Sequence, residues 1–86
     1  IQVAFFVMPE GPVFRGWYPP GVRDRVSVYL AGLSAEYGVP VFDAHDWLTD
    51  ETQFADSHHL MRHGAEAFSR RFGRECIAPW VKGEAR

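Results

Sequence analysis

The sequence predicts an α/β fold in which a βαβ unit is followed by one more helix. Two short runs, residues 2–8 and 39–43, have the length of strands and are apolar at most positions. Between them, residues 22–37 repeat apolar side chains at three- and four-residue intervals, the pattern of an amphipathic helix. A strand, a crossover helix and a second strand form a right-handed unit with parallel strands.

The first strand is predicted at residues 2–8, where the apolar run stops at Pro9. Continuous rather than alternating apolarity indicates a strand covered on both faces, as in a parallel sheet between helices. The start of a buried helix is the alternative, but the run is short and rich in β-branched and aromatic side chains. We therefore expect both faces of this strand to be buried.

A long loop follows at residues 9–21. In an open α/β sheet such a loop leaves the end of the strand at which ligands bind. Glu10, Arg15, Trp17 and Tyr18 are therefore candidate substrate contacts. The structural alternative, which we prefer, is that the aromatic side chains hold the loop against the body of the domain.

The helix at residues 22–37 is predicted to bury one apolar stripe and to end at Gly38, which suits the left-handed position that closes a helix. The second strand, residues 39–43, ends at Asp43 on the ligand side of the sheet. The predicted stripe consists of Val22, Val26, Tyr29, Leu30, Leu33 and Tyr37.

The predicted chemistry lies in Asp56-Ser57-His58-His59, between a polar loop at residues 44–55 and a helix at residues 61–72. Asp56 and His59 are three residues apart, a spacing that places two side chains on one side of a turn or helix. The carboxylate can then accept a hydrogen bond from one imidazole nitrogen, which fixes the tautomer and stabilises the imidazolium. Such a pair supplies two members of a hydrolytic triad.

The end of the chain is predicted to be structural. Gly73 is expected to stop the last helix, and residues 76–81 to pack back on the body, with residues 82–86 frayed. Cys76 is the single cysteine, so it forms no internal disulfide, and we interpret it as a buried thiol. The net charge of −2 and the pI near 6.1 argue against nucleic acid as a partner. No apolar run approaches the length of a membrane span.

The order of strand, long loop, helix, strand ending in aspartate, loop and Asp-x-x-His resembles the C-terminal part of SGNH (GDSL-type) hydrolases. The specific match is Asp56-x-x-His59-Leu60, followed by Gly64 and an apolar helix with Phe68. The block looks closest to envelope-associated branches that O-acetylate exopolysaccharides. The resemblance implies a three-layer α/β/α, flavodoxin-like parallel sheet in a serine esterase or O-acyltransferase. Asp56 would be its orienting acid and His59 its general base.

The family's nucleophilic serine follows its first strand, and its oxyanion-hole glycine and asparagine come from two later blocks. Residues 1–86 contain none of these blocks, and they open with Ile1 in an apolar run. We therefore expect one partial domain over residues 1–86, with the nucleophile upstream and no esterase activity in the chain alone. Uncovered sheet edges predict self-association.

The resemblance also implies the partners. These are a small-molecule or carbohydrate ester and the upstream part of the same domain, with no cofactor and no resident metal. It is compatible with a cell-envelope or secreted location, which the sequence does not fix.

Three alternatives to the triad are open. In the first, Asp56 is the N-cap of the following helix and His59 has no role. In the second, His59 and His63 share a helical face and bind zinc with Asp56 or His58. This set has less weight, because no glutamate lies between the two histidines. In the third, the chain is a non-catalytic α/β module for assembly or carbohydrate binding.

Overall fold

The computed structural model describes residues 1–83, which include a parallel pair of strands. β1 (Phe5–Val7) pairs with β2 (Val41–Asp43), with Phe5 opposite Val41. Helix α2 (Val22–Tyr37) connects the two strands. The predicted βαβ unit with parallel strands is confirmed, and with it the α/β class.

Short helical segments make up most of the remaining structure. Two four-residue helices flank the longer elements, a 3₁₀ turn lies in the loop after β2, and a π-helical turn follows the last long helix. These segments are α1 (Pro12–Arg15), the 3₁₀ turn (Glu51–Gln53), α3 (Arg62–Phe72), the π turn (Gly73–Ile77) and α4 (Ala78–Val81).

The strands are shorter than predicted, since each covers three residues. The hydrogen bonds at the two ends of the ladder run from the Phe5 amide to the Pro40 carbonyl and from the Ala44 amide to the Val7 carbonyl. Pro40 carries no amide hydrogen and cannot donate to a longer ladder. An apolar run therefore marks the region of a strand more reliably than its ends.

The prediction that the first strand is buried on both faces is wrong for the described residues. Phe6 packs on one face against α3, with its ring centroid 5.0 Å from that of Phe72 and 6.4 Å from that of Phe68. Even so, Phe5 and Phe6 both remain exposed. A continuous apolar run indicates that a strand is suited to burial on both faces. How much of the strand is buried depends on which other elements pack against it.

The predicted stripe of α2 is only half-buried. Val22, Val26, Leu30 and Leu33 are partly covered, but the two tyrosines assigned to the stripe are exposed. The end of the helix is as predicted. Gly38 has φ 65°, and its amide donates to the carbonyl of Ser34 at 2.9 Å.

The buried core lies between the loop after β2 and helix α3. It consists of Ala44, Leu48, Phe54 and Phe68, with Trp47, Leu60 and Phe72 packed around it. The guanidinium of Arg71 stacks 4.0 Å from the Trp47 ring centroid and covers the cluster from the solvent side. This core fixes α3 against the loop that carries Asp56 and His59.

α3 ends at Phe72 with Gly73 as its C-cap, as predicted, but Gly73 does not end the helical path of the chain. It has helical angles, φ −60° and ψ −45°, and the chain continues through the π turn into α4. Trp80 packs against Phe42 at 6.1 Å between ring centroids, so the tail does return to the body. Cys76 is buried, as predicted, and burial raises the pKa of its thiol. Fraying was predicted for residues 82–86, but the amides of Lys82 and Gly83 donate to the carbonyls of Ala78 and Trp80 at 3.1 and 2.9 Å. Positions 84–86 lie outside the described residues.

Candidate functional site

The Asp56–His59 segment is a tight loop closed at its base by backbone hydrogen bonds. Phe54 and Leu60 form an antiparallel bridge, and the Ala55 amide donates to the His59 carbonyl at 2.7 Å. Phe54 is buried in the core, so the bridge anchors the loop. The loop is therefore anchored at both ends, and Asp56 and His59 are exposed on its surface.

The carboxylate of Asp56 divides its two oxygens between backbone and side chain. Oδ1 accepts the His59 amide at 2.8 Å and the His58 amide at 3.3 Å. Oδ2 lies 2.6 Å from His59 Nδ1. The aspartate therefore stabilises its own turn and holds the imidazole at the same time, which is the contact that the triad interpretation requires.

Asp56 is not the N-cap of α3, so the capping alternative is wrong as stated. The N-cap residue is Met61, which makes no side-chain capping hydrogen bond. The start of α3 agrees with the prediction to within one residue. The three-residue spacing of Asp56 and His59 arises in a turn that precedes the helix, where Asp commonly bonds nearby backbone amides.

The electrostatics of the pair favour an ionised carboxylate beside the imidazole. The hydrogen bond with His59 lowers the pKa of Asp56 to about 2. An acceptor this close keeps the proton of a neutral imidazole on Nδ1, which leaves the Nε2 lone pair available. Within residues 1–83, Nε2 of His59 has no hydrogen-bond partner, and the His59 side chain is 71% exposed. His59 is thus held at Nδ1 by Asp56, and its Nε2 is open to solvent.

Ser57 holds this loop from inside. It is 3% exposed and has φ 70°, a left-handed conformation that few non-glycine residues adopt. Its hydroxyl accepts the Phe14 amide at 2.8 Å and donates to Glu51 Oε1 at 3.1 Å. The inward turn of Ser57 places Asp56 and His58 on either side of it at the surface.

The same contacts attach the loop to α1. Glu51 Oε1 accepts the Val13 amide at 3.1 Å, and the Gly11 amide donates to the Ser57 carbonyl at 2.6 Å. A Cβ on Gly11 would lie 2.5 Å from Ser57 Oγ, so only glycine fits. Sequence reasoning missed Gly11, Glu51 and Ser57 as site residues. The one signal was Ser57 within a turn-forming Asp-Ser pair.

A row of aromatic rings leads from the long loop to the candidate base. Its centroid distances are 5.7 Å from Trp17 to Phe14, 5.1 Å from Phe14 to His58 and 4.4 Å from His58 to His59. Trp17 is 68% exposed. We call Trp17, Phe14, His58 and His59 the aromatic row; it joins a predicted substrate residue to the predicted base.

The other predicted substrate residues are engaged with the protein. Arg15 Nη1 donates to the carbonyls of Glu10, His45 and Leu48 and so ties three loop positions together. The Glu10 carboxylate accepts the Tyr18 hydroxyl. Burial and this hydrogen bond raise the pKa of Tyr18. Among the four candidates, Trp17 is the one whose side chain is mostly free for a ligand.

A second carboxylate–histidine pair lies after β2. Asp43 Oδ1 is 2.7 Å from His45 Nδ1, and both Asp43 oxygens accept hydrogen bonds from Arg23 Nη2. Burial works to raise the pKa of Asp43, but the hydrogen bonds with His45 outweigh it and the pKa is lowered. Arg15, Tyr18, Arg23 and His45 line a groove of about 260 Å³ here. The pair is locked to Arg23, which is a structural arrangement.

The zinc set proposed from sequence is not the one that the fold brings together. His59 precedes α3, so it does not share a helical face with His63, and that prediction is wrong. Instead, Asp56, His58 and His59 each place one ligand atom within 4.8 Å of the other two.

No serine in the described chain is bonded to His59. Ser27, Ser34 and Ser69 lie on α2 and α3, and the Ser34 hydroxyl donates to the Val39 carbonyl at 2.6 Å. Ser57 is buried and bonded elsewhere. Within residues 1–83 the Asp56–His59 pair is therefore present without a serine bonded to it.

Comparison with protein-family models, curated proteins and solved structures found no match for this chain. Among residues 1–83, no helix has the length and apolarity needed to cross a bilayer.

Proposed function

We propose that this chain supplies the acid–base pair of an SGNH-type serine esterase or O-acyltransferase. The observation that supports the proposal most strongly is the 2.6 Å contact between Asp56 Oδ2 and His59 Nδ1, with Nε2 of His59 open. The resemblance of the Asp-x-x-His block and the parallel βαβ unit support the same assignment. In the finer form of the proposal, the two strands belong to a flavodoxin-like sheet, with the missing strands and the nucleophile supplied upstream.

The chemistry assigned to the pair is proton transfer. An upstream serine hydroxyl gives its proton to His59 Nε2 while its oxygen attacks the ester carbonyl. The resulting imidazolium is stabilised by Asp56 and returns the proton to the leaving alkoxide. Water then resolves the acyl-enzyme in a hydrolase, or a sugar hydroxyl does so in a transferase, with His59 again taking the proton.

Trp17 is the proposed substrate contact in this scheme. The aromatic row connects its exposed ring to His59 through Phe14 and His58. A flat apolar ring at this position suits the apolar face of a sugar or the acyl part of an ester. Glu10 and Arg15 shape the loop through the contacts described above.

The proposal is tested by ester turnover in a longer polypeptide that contains this chain and its upstream sequence, with p-nitrophenyl acetate as the probe. His59→Ala should lower kcat by about 10³-fold or more, and Asp56→Asn by about 10⁴-fold, because the asparagine favours the wrong tautomer. His63→Ala is the matched control, since His63 is exposed on α3 outside the pair. Equal turnover in His59→Ala and His63→Ala would refute the proposal.

A non-catalytic carbohydrate-binding module is the second candidate, and the exposure of Trp17 favours it. The two functions separate in a polysaccharide pull-down with the 86-residue chain. Binding that is lost in Trp17→Ala but kept in His59→Ala, without ester turnover in the longer polypeptide, supports the module. Failure of the wild-type chain to bind any acidic or neutral polysaccharide argues against it.

A further inference from the structure

The loop that carries the acid–base pair also brings together three metal-ligating side chains. Asp56, His58 and His59 each offer one ligand atom, and the three atoms lie within 4.8 Å of one another. We propose that this cluster binds Zn²⁺ reversibly and that the bound ion prevents His59 from acting as a base. The second part rests on the proposed function, while zinc binding itself does not.

The separations between Asp56 and each of the two histidines are close to those of a tetrahedral site. Two ligands at Zn–N and Zn–O distances of about 2.0–2.1 Å stand roughly 3.3 Å apart when the angle between them is tetrahedral. His58 Nδ1 lies 3.7 Å from Asp56 Oδ1, and His59 Nδ1 lies 2.6 Å from Asp56 Oδ2. These two separations, which involve different oxygens of Asp56, each differ from the tetrahedral value by less than about 1 Å. The two imidazoles place ligand atoms within 4.8 Å of each other.

The cluster is also accessible, with solvent available for a fourth ligand. The side chains of Asp56 and His58 are 49% and 44% exposed, and that of His59 is more exposed still. The charge of nearby Arg62 is balanced by Glu66, whose Oε1 accepts from Arg62 Nε at 3.3 Å. Two imidazoles and a carboxylate with water in the fourth position form a ligand set that zinc accepts.

Zinc binding and base catalysis compete for the same imidazole. If the ion takes His59 Nδ1, the remaining proton of the neutral ring moves to Nε2, which can then no longer accept one. If the ion takes Nε2, the accepting lone pair is occupied directly. The first mode also draws the Asp56 carboxylate to the metal and away from its hydrogen bond with the ring.

The binding step is tested by calorimetric titration of zinc chloride into the 86-residue chain, purified without a histidine tag. The wild-type chain should bind one Zn²⁺. His58→Ala should weaken binding by at least tenfold, because loss of even an outer-shell partner costs 10–100-fold in metal affinity. His63→Ala should bind as the wild type does, since His63 is a nearby exposed histidine outside the cluster.

Long-range ¹H–¹⁵N spectra of the imidazoles then identify the ligating nitrogens. Zinc should shift the ring signals of His58 and His59 and leave those of His45 and His63 in place. Absence of binding in the wild-type chain, unchanged affinity in His58→Ala, or equal loss in His63→Ala would each overturn the site.

Ester turnover in the longer polypeptide tests the second step. Zinc should inhibit the wild type, a chelator should restore its activity, and His58→Ala should need at least tenfold more zinc for the same fractional inhibition of its own metal-free rate. Zinc binding without inhibition would overturn the competition but keep the site. Absence of turnover in metal-free protein would instead count against the proposed function.

Discussion

At the scale of single residues, one aspartate both forms the turn and prepares the histidine. Asp56 uses Oδ1 for two backbone amides and Oδ2 for the His59 ring. The backbone bonds fix where the carboxylate stands, so the ring contact needs little further ordering of the side chain. Spacing alone predicted that Asp56 and His59 meet, because three residues of turn bring such side chains together whether or not a helix forms.

Because of the hydrogen bond between Asp56 and His59, we expect folding stability to depend on pH. The pKa of Asp56 is about 2, below its ordinary value of 3.8. A depressed native pKa means that the unfolded state binds protons first as the solution is acidified. The contribution of this pair to folding stability is therefore fully present above about pH 4 and is lost as the pH falls through about 2.

Carbon-13 NMR of the Asp56 carboxyl group measures this directly. The wild-type midpoint should be near 2, and His59→Ala should raise it toward the ordinary value, since the first cause of the shift is removed. His63→Ala should leave the midpoint unchanged. A wild-type midpoint close to 3.8 would mean that the contact is not maintained in solution.

Ser57 makes a second prediction at this scale. Ser57→Ala removes the hydroxyl that bonds the Phe14 amide and Glu51, and should lower the free energy of unfolding by about 1–3 kcal/mol. Ser57→Gly removes the same hydroxyl but relieves the left-handed backbone, so it should cost about 1 kcal/mol less. Urea unfolding of both variants decides the point; a less stable glycine variant would contradict it.

At the scale of elements, α3 and the 3₁₀ turn (Glu51–Gln53) are in close backbone contact. A Cβ on Gly64 would lie 2.5 Å from the Gln53 carbonyl oxygen, the same atom that accepts the Met61 amide at 2.8 Å. Gly64 is buried. Only glycine at position 64 therefore allows α3 to lie at its present distance from the backbone of Gln53.

Gly64→Ala and Gly32→Ala should change stability in opposite directions. Both glycines are inside helices, where alanine is favoured by about 1 kcal/mol. Gly32 has no atom near its Cβ position, so its variant should gain that amount. Gly64→Ala should instead lose about 1–3 kcal/mol through overpacking against Gln53. Thermal unfolding of the two variants measures both changes in stability. Equal stabilisation would show that α3 can move away from Gln53 without loss of stability.

The sequence was most informative about element type and least informative about what covers each element. Periodicity placed α2 and α3 to within one residue, because helical spacing is a local property. It did not show that Tyr29 and Tyr37 are exposed, since cover depends on distant parts of the chain. Gly73 was assigned as a stop, yet glycine is also compatible with helical angles when the following turn continues.

The candidate site was predicted in part for the same reason. Asp56 and His59 are local partners, so spacing revealed them. The support from Gly11, Glu51 and Ser57 joins residues more than 35 apart in sequence through backbone amides. Every non-proline residue carries the same backbone amide and carbonyl, so a single sequence does not show which of them a side chain bonds.

At the scale of the whole molecule, the described chain exposes much apolar surface around its sheet. Val3, Phe5, Phe6 and Met8 are all exposed, and the outer edge of β1 has no strand beside it within residues 1–83. Open edges with apolar side chains favour pairing with another strand. This arrangement makes a prediction about the state of the chain in solution.

The 86-residue chain should associate with itself in a concentration-dependent way, as measured by sedimentation velocity. Phe5→Lys should reduce association, because a charged side chain on a sheet edge opposes pairing. Val28→Lys is the control, since it removes an apolar side chain that is even more exposed than Phe5 from α2, away from the sheet. A monomeric wild-type chain, or equal effects of both variants, would contradict edge pairing.

If His59 is the base of a serine site, as we propose, its loss should abolish labelling by a fluorophosphonate probe. The longer polypeptide with its upstream sequence is labelled beside its His59→Ala and His63→Ala forms. We expect strong labelling of the wild type and of His63→Ala, with little in His59→Ala, because the proposed serine depends on His59 Nε2 for its activation. Equal labelling of all three forms, or labelling of none, would contradict it.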